Sequence, residues 1–357
     1  MFYFYKKYMD NDSINDVRTD FKNITFSSYQ KSQARKELIS CIYNEKVENA
    51  NYWAAEFICS GHYLDLWDTI ILYTTKYIHC GNPKLPIYLN MRFDNFEQII
   101  NSGYSDNVIV LRNNLKIRKL FAEIICVLCF SQKKHTYEQI KINKQEEFDL
   151  YNISSKFKAP NVTYIQNIYK DDDPKELYIP INELIYNITS KNVIECCYWY
   201  EWIIEYENIC KKKKKKCICE SRLYAPKGYQ NDIVWIIWDI IFFYSKNIQT
   251  DNQNYTIINK IINSLYNLFT IKYKTTFKSK RKYIIYYSLS ILIDKIDYNL
   301  NIINNDSKIE KIIEKINNIY REIKKNEESP NTDYLYKDIA KSNIEKTFEK
   351  LEIMKNI

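Results

Sequence analysis

Apolar side chains recur along this chain at helical intervals. Ile309, Ile312, Ile313, Ile316, Tyr320 and Ile323 follow the i, i+3, i+4, i+7 series, with Glu and Lys filling the positions between. Trp199, Trp202, Ile203, Tyr206 and Cys210 draw a second stripe, with Glu201 and Glu205 off it. Extended along the sequence, this periodicity predicts helices over 32–45, 47–60, 63–79, 83–101, 111–131, 174–190, 193–212, 229–246, 254–271, 282–295, 306–325 and 333–354. Asn82-Pro83 reads as an N-cap followed by a first-turn proline, and Asp173-Pro174 repeats the signal, with Glu176 placed to suit the helix dipole. Asp171-Asp172-Asp173 therefore reads as a capping run rather than a magnesium site. Gly61 and Gly103 stand where helix C-caps would fall.

The expected architecture is all-α. It consists of stacked antiparallel helices in one or two lobes, solenoid-like or bundle, because short connections force neighbours to run antiparallel. An irregular N-terminal segment (1–31) precedes a first lobe (32–134). A connector (135–173) leads to a second lobe (174–325) and a C-terminal helix (326–357). No repeat at a fixed period is apparent.

Composition narrows the function classes. Only 4 of 357 residues are glycine, and none of the glycine-rich loops that wrap phosphate or expose a nucleophile is present. Lysine outnumbers arginine 44 to 8. With abundant Asn, Ile, Tyr and Phe, that bias matches A/T-rich coding, so glycine scarcity alone does not prove a helical fold. The longest apolar runs, 234–244 (broken by Asp239) and 283–293, fall short of the ~20 residues a membrane span needs. No secretory signal is evident in 1–8. The expectation is a soluble, intracellular protein. Of the ten cysteines, Cys59, Cys126, Cys129 and Cys196 fall in apolar stripes, as reduced thiols in a cytosol-like compartment do.

Charge changes the picture most. The net charge is +8, but the excess is concentrated in two blocks. Residues 210–227 carry Lys211, Lys212, Lys213, Lys214, Lys215, Lys216, Arg222 and Lys227 against the single acid Glu220. Residues 271–282 carry Lys272, Lys274, Lys278, Lys280, Arg281 and Lys282 with no acid. If helices 229–246 and 254–271 run antiparallel, both blocks land on one end of a lobe, making a basic end suited to a phosphate backbone or an acidic partner. Because the charge is almost all lysine, nucleic acid there would be held without sequence specificity. The competing reading is a solvated lysine loop produced by A/T-rich coding.

Candidate chemistry is sparse. Cys210, Cys217 and Cys219 flank the lysine run, where cations favour thiolates and zinc ligation. Their C-x6-C-x-C spacing is not a standard zinc pattern, and a fourth ligand would have to come from elsewhere. His62 with Asp65 and Asp68 could form an acid–base centre, but beside Gly61 it reads more simply as a turn residue. His79 closes a helix, where imidazolium suits the dipole, and His135 follows Lys133 and Lys134 in a turn. Asp239, surrounded by Trp235, Ile236, Trp238, Ile240 and Ile241, needs a partner, for which Arg281 is the expected choice.

Several strings carry a resemblance when taken together: 53–66 (WAAEFICSGHYLDL), 79–89 (HCGNPKLPIYL), 111–135 (LRNNLKIRKLFAEIICVLCFSQKKH), 172–184 (DDPKELYIPINEL), 196–207 (CCYWYEWIIEYE) and 324–337 (KKNEESPNTDYLYK). They resemble a helical protein family of giant and other nucleocytoplasmic large DNA viruses. The likeness covers most of residues 32–354 and carries no catalytic motif, so no residue role is transferred. It implies expression in an infected host cell, in the cytoplasm, the viral factory or the virion. The combined expectation is a non-enzymatic structural or protein-interaction component with viral or host proteins as partners. The alternative is an accessory nucleic-acid-binding factor in viral replication or transcription that uses the basic end.

Overall fold

The computed structural model describes residues 12–102, 107–144, 146–248, 252–303 and 305–328. Among these residues the fold is all-α, as the periodicity predicts. There is no strand, only an isolated antiparallel bridge between Ile24 and Gln30. The helices are α1 (Lys31–Tyr43), α2 (Val47–Cys59), α3 (Tyr63–Tyr73), α4 (Leu85–Asn101), α5 (Val108–Asn113), α6 (Leu115–Phe130) and α7 (Leu150–Ser154). They continue as α8 (Tyr178–Thr189), α9 (Val193–Lys212), α10 (Val234–Lys246), α11 (Asn252–Thr270), α12 (Phe277–Lys280), α13 (Lys282–Ile293), α14 (Asp306–Glu314) and α15 (Ile316–Lys324). The helix expected over 333–354, and Gly103, lie outside the described residues.

Helix ends show how a glycine-poor chain turns. α2 closes in a Schellman motif, with His62 N donating to Phe57 O at 2.8 Å and Gly61 left-handed at φ 73°. The same pair of bonds closes α1, α8 and α9. There the left-handed residue is Glu45 (φ 57°), Lys191 (φ 58°) or Lys214 (φ 55°). These are positions where a Cβ is strained. At helix starts, Asn107, Asn114 and Asn192 accept from backbone amides of their first turns. Asn114 thereby divides the single expected helix 111–131 into α5 and α6.

Two expected caps belong to other interactions. Asn82 does not open α4, which starts two residues beyond Pro83 and takes Pro86 into its first turn. Its side chain is buried instead, donating to Ile302 O at 2.8 Å and Ser131 Oγ at 3.2 Å. Asp173 does not cap α8 either, and its carboxylate is held by Arg222 (below). The stretch expected as one helix to residue 79 is regular only to Tyr73. It continues as a π-helical turn (Thr74–Ile78) and a 3₁₀ turn (His79–Gly81).

The buried side chains from Ile14 to Ile323 form one continuous core. α13 lies at its centre, apolar on nearly every side, and packs on α9, α10, α11, α8 and the π-helical turn. α1–α2 and α8–α9 are helical hairpins. α11 packs against α4, while α14 and α15 return to lie on α6 and α2. Ala50, Ala54 and Ala55 of α2 are buried small residues that let its neighbours approach closely. No helix among the described residues is long and apolar enough to cross a membrane.

Candidate polyanion interface

The lysine run is not a loose loop. Lys211 and Lys212 form the last turn of α9, where cations offset the negative end of the helix dipole. The Schellman turn then fixes the next residues, with Lys215 N donating to Cys210 O at 2.8 Å and Lys214 N to Lys211 O at 3.1 Å. Beyond it, residues 217–233 fold back on themselves. Cys219 N donates to Asn231 O and Arg222 N to Gln230 O, both at 3.0 Å, and Asn231 Nδ2 returns to Cys219 O at 3.0 Å. Gly228, left-handed at φ 83°, allows the reversal between these paired stretches.

A cleft of about 340 Å³ opens between this fold-back, the end of α9 and the segment before α12. Lys211, Lys215 and Lys216 line it together with Cys217, Ile218, Gly228, Tyr229, Asn231 and Thr275, and the buried carboxylates of Glu207 and Asp232 complete the lining. Thr275 belongs to the second basic block, and its neighbour Lys274 is exposed, as is Lys227 beside Gly228. The second block thus reaches the cleft through Thr275, while none of its cations lines it. Among the described residues, no acid lies within ion-pair distance of Lys212, Lys213, Lys214, Lys215, Lys216, Lys227 or Lys274.

Beneath the cleft the charges are paired. Lys278 is only 2% exposed; its ammonium reaches Glu207 Oε2 at 2.5 Å and Asp232 Oδ1 at 2.6 Å. Glu207 Oε1 binds Lys211 at 2.7 Å, so one carboxylate joins the surface run to the interior. Tyr273 donates its hydroxyl to Asp232 Oδ2 at 3.0 Å, and Tyr200 donates to Lys278 O at 2.9 Å. Two carboxylates around one buried ammonium is the arrangement burial of that charge demands. The nearest comparable group is Arg222, also buried. It forks onto Asp173 at 2.6 and 2.7 Å and reaches Asp239 Oδ2 through Nε at 2.7 Å. Asp239 thus has Arg222 as its partner, not the expected Arg281.

Other members of the expected basic end lie elsewhere. Arg281 is buried against Asp68 at 2.8 Å and donates to Phe269 O and Ile271 O. Lys280 faces the same Asp68 at 3.5 Å, and Lys282 binds Glu201 at 2.8 Å. Lys272 borders a separate groove with Asp94 and Glu97. Arg222, Lys278 and Arg281 are structural ion pairs and not part of a basic surface. Sequence order could not separate them from the exposed lysines, because their acids sit 17 to 213 positions away. Glu207 was readable, four residues before Lys211 on one helical face. Tyr229, Asp232 and Thr275 carried no local signal.

The cysteines and histidines are also structural. Burial, more than any other influence, pushes the Cys217 thiol up to about 12, with Cys210 and Glu207 adding to it. Cys219 is pushed up to about 12 as well, and its thiol donates to Asp232 O at 3.2 Å. The neighbouring lysine heads stand in water, where screening blunts their pull on the thiols. No group of three or more potential ligands converges on a metal position among the described residues, and Cys210, Cys217 and Cys219 are no exception. His62 Nε2 lies 2.9 Å from Ile24 O. His79, expected to close a helix as an imidazolium, is buried, its pKa lowered chiefly by that burial; it stacks on Tyr137 at 4.4 Å and reaches His135 O at 2.7 Å. Compared with known proteins, the chain matches no family model, no curated protein and no solved structure.

Proposed function

We propose that this is a non-enzymatic interaction protein whose working surface is the lysine-lined cleft, and that it holds a polyanion there, most naturally the phosphate backbone of nucleic acid. The observation that carries the reading is the contrast between two sets of cations. Lys278, Arg222 and Arg281 inside the fold each have a carboxylate, whereas Lys212–Lys216, Lys227 and Lys274 are exposed without one, and Lys215 and Lys216 line the cleft. Exposed cations that the fold leaves unneutralised attract a polyanion by releasing its counterions. The absence of arginine from this set supports contact with backbone and not with base edges. His62 and His79, engaged with carbonyls, support a non-catalytic role. The viral origin implied by the resemblance, with work in the host cytoplasm, viral factory or virion, belongs to the same proposal, and the A/T-coded composition supports it.

The test is anisotropy of labelled duplex and single-stranded DNA across a salt series. Micromolar or tighter binding at low salt is expected, with log affinity falling by about 0.9 per duplex phosphate contact for each tenfold rise in salt. Changing Lys211–Lys216 to glutamine should weaken binding at least tenfold and flatten that slope. Changing the exposed Lys308 and Lys311 of α14 and Lys315 just after it should leave both unaltered. Failure of the wild-type protein to bind at low salt would overturn the proposal.

A second reading, a virion or assembly component that docks a viral or host protein, has one observation of its own. Ile99, Ile109, Val110 and Leu115 line an open groove of about 590 Å³ along α4, α5 and α6, with Val110 and Leu115 exposed.

A further inference from the structure

The lining of the cleft is mixed in chemistry. Lysines 211, 215 and 216 share its lining with the half-buried Tyr229 and the exposed Ile218. Ile218 is 52% exposed although it lies in the most highly charged stretch of the chain. Its neighbours Cys217 and Cys219 are buried, so the alternation of this extended segment turns Ile218 outward. Tyr229 is held in place from behind. Its ring stands at 80° to Tyr273 with centroids 5.5 Å apart, and its carbonyl accepts from Trp235 Nε1 at 2.6 Å. Tyr273 in turn is bonded to Asp232. An aromatic ring fixed by its own supports, in one cleft with the unpaired ammonium groups of Lys215 and Lys216, is a platform for something flat and anionic.

Resting on the polyanion reading, we infer that the cleft selects single-stranded nucleic acid, seating one unpaired base against Tyr229 and Ile218 while Lys215 and Lys216 hold the adjoining phosphates. A duplex keeps its bases stacked inside and offers only its phosphates to a concave surface, so it meets the lysines and leaves Tyr229 and Ile218 wet. A single strand brings both halves of the ligand, and every base has a π-face to offer. The cleft volume falls within the range of small-ligand sites and suits one nucleotide, not a helix. Neither set of side chains reads base edges, so the preference is for strandedness, without sequence. Deoxyribose and ribose strands share this chemistry.

The experiment compares five labelled probes of matched length at one salt concentration: single-stranded DNA, single-stranded RNA, duplex DNA, long-chain inorganic polyphosphate, and single-stranded DNA carrying 2-aminopurine. The wild-type protein should bind single strands about tenfold more tightly than duplex or polyphosphate, a ratio equivalent to about 1.4 kcal/mol. It should also quench the 2-aminopurine on binding. Tyr229→Leu, which keeps an apolar body but no π-face, should lose the single-strand preference and the quenching. Tyr229→Phe should retain both. Circular dichroism and thermal melting check that the variants fold, and the Phe variant preserves the contact with Tyr273. A DNA-over-RNA difference would show which sugar the cleft prefers, within the proposal. Equal binding of single strand, duplex and polyphosphate, with Tyr229→Leu silent, would overturn the cleft inference and leave the polyanion reading standing. No binding of any probe would overturn both.

Discussion

Lys278 shows what an interior charge requires. Its ammonium has two carboxylates at bonding distance and almost no water. Lys278→Met removes the cation and leaves Glu207 and Asp232 facing each other in a buried site. Breaking a pair of this kind costs about 3–5 kcal/mol, so the urea midpoint should fall steeply. Adding Asp232→Asn should recover part of the loss, because it removes the carboxylate left without a cation, Glu207 keeping Lys211. A single variant that melts like the wild type would mean that water already solvates the trio. Side-chain pairing is also where sequence reading stops. It identified Asp239 as a carboxylate that must be matched and then chose the wrong arginine. The correct one, Arg222, lies in a fold-back whose geometry depends on Gly228 and on bonds to residues 230 and 231. Periodicity carries no information about such a turn.

At the scale of elements, much more was legible. Every long helix was anticipated from its apolar stripe, because a stripe is a local property of one segment and survives whatever packs on it. The errors cluster where tertiary contacts outbid local signals: Asn82 drawn towards Ser131 and Ile302, Asp173 towards Arg222, and α3 passing into a π-helical turn before His79. The short α7 and α12 were not anticipated, since a helix of four or five residues has no period to detect. The candidate cleft was half legible: the lysines of its first block were expected, its aromatic residue was not. Helix closure yields a prediction at this scale. Lys191 is exposed, has no charge partner among the described residues, and sits left-handed at the end of α8. Lys191→Gly should stabilise the protein by about 0.5–1 kcal/mol, the left-handed strain relieved less the entropy glycine adds to the unfolded chain. The urea midpoint should rise with an unchanged slope. Glu45→Gly should gain less, because Glu45 also binds Lys133 at 2.7 Å.

The whole molecule depends on a late return of the chain. Ile309, Ile316, Tyr320 and Ile323 are buried against helices made near its beginning, and Arg118 of α6 lies 3.9 Å from the centre of the Tyr320 ring. Each such side chain contributes about 1.5–3 kcal/mol on burial, so together they rival the whole stability of an ordinary domain, about 5–15 kcal/mol. A chain ending after Leu300 should therefore lose its cooperative calorimetric transition and not simply shed a surface hairpin. A truncated chain with a sharp transition within a few degrees of the original would contradict this.

That return also closes a seam. Arg18 binds Glu328 at 2.6 Å, Lys324 donates to Ser13 O at 2.6 Å, and Asn326 donates to Ser27 Oγ at 2.9 Å. These contacts of residues 13–27 form only after some three hundred further residues have been translated. At about 5–20 residues per second that is a wait of roughly 15–60 seconds. Throughout it, the face of α2 later covered by α15 stays open to chaperones and to other nascent chains on the same message.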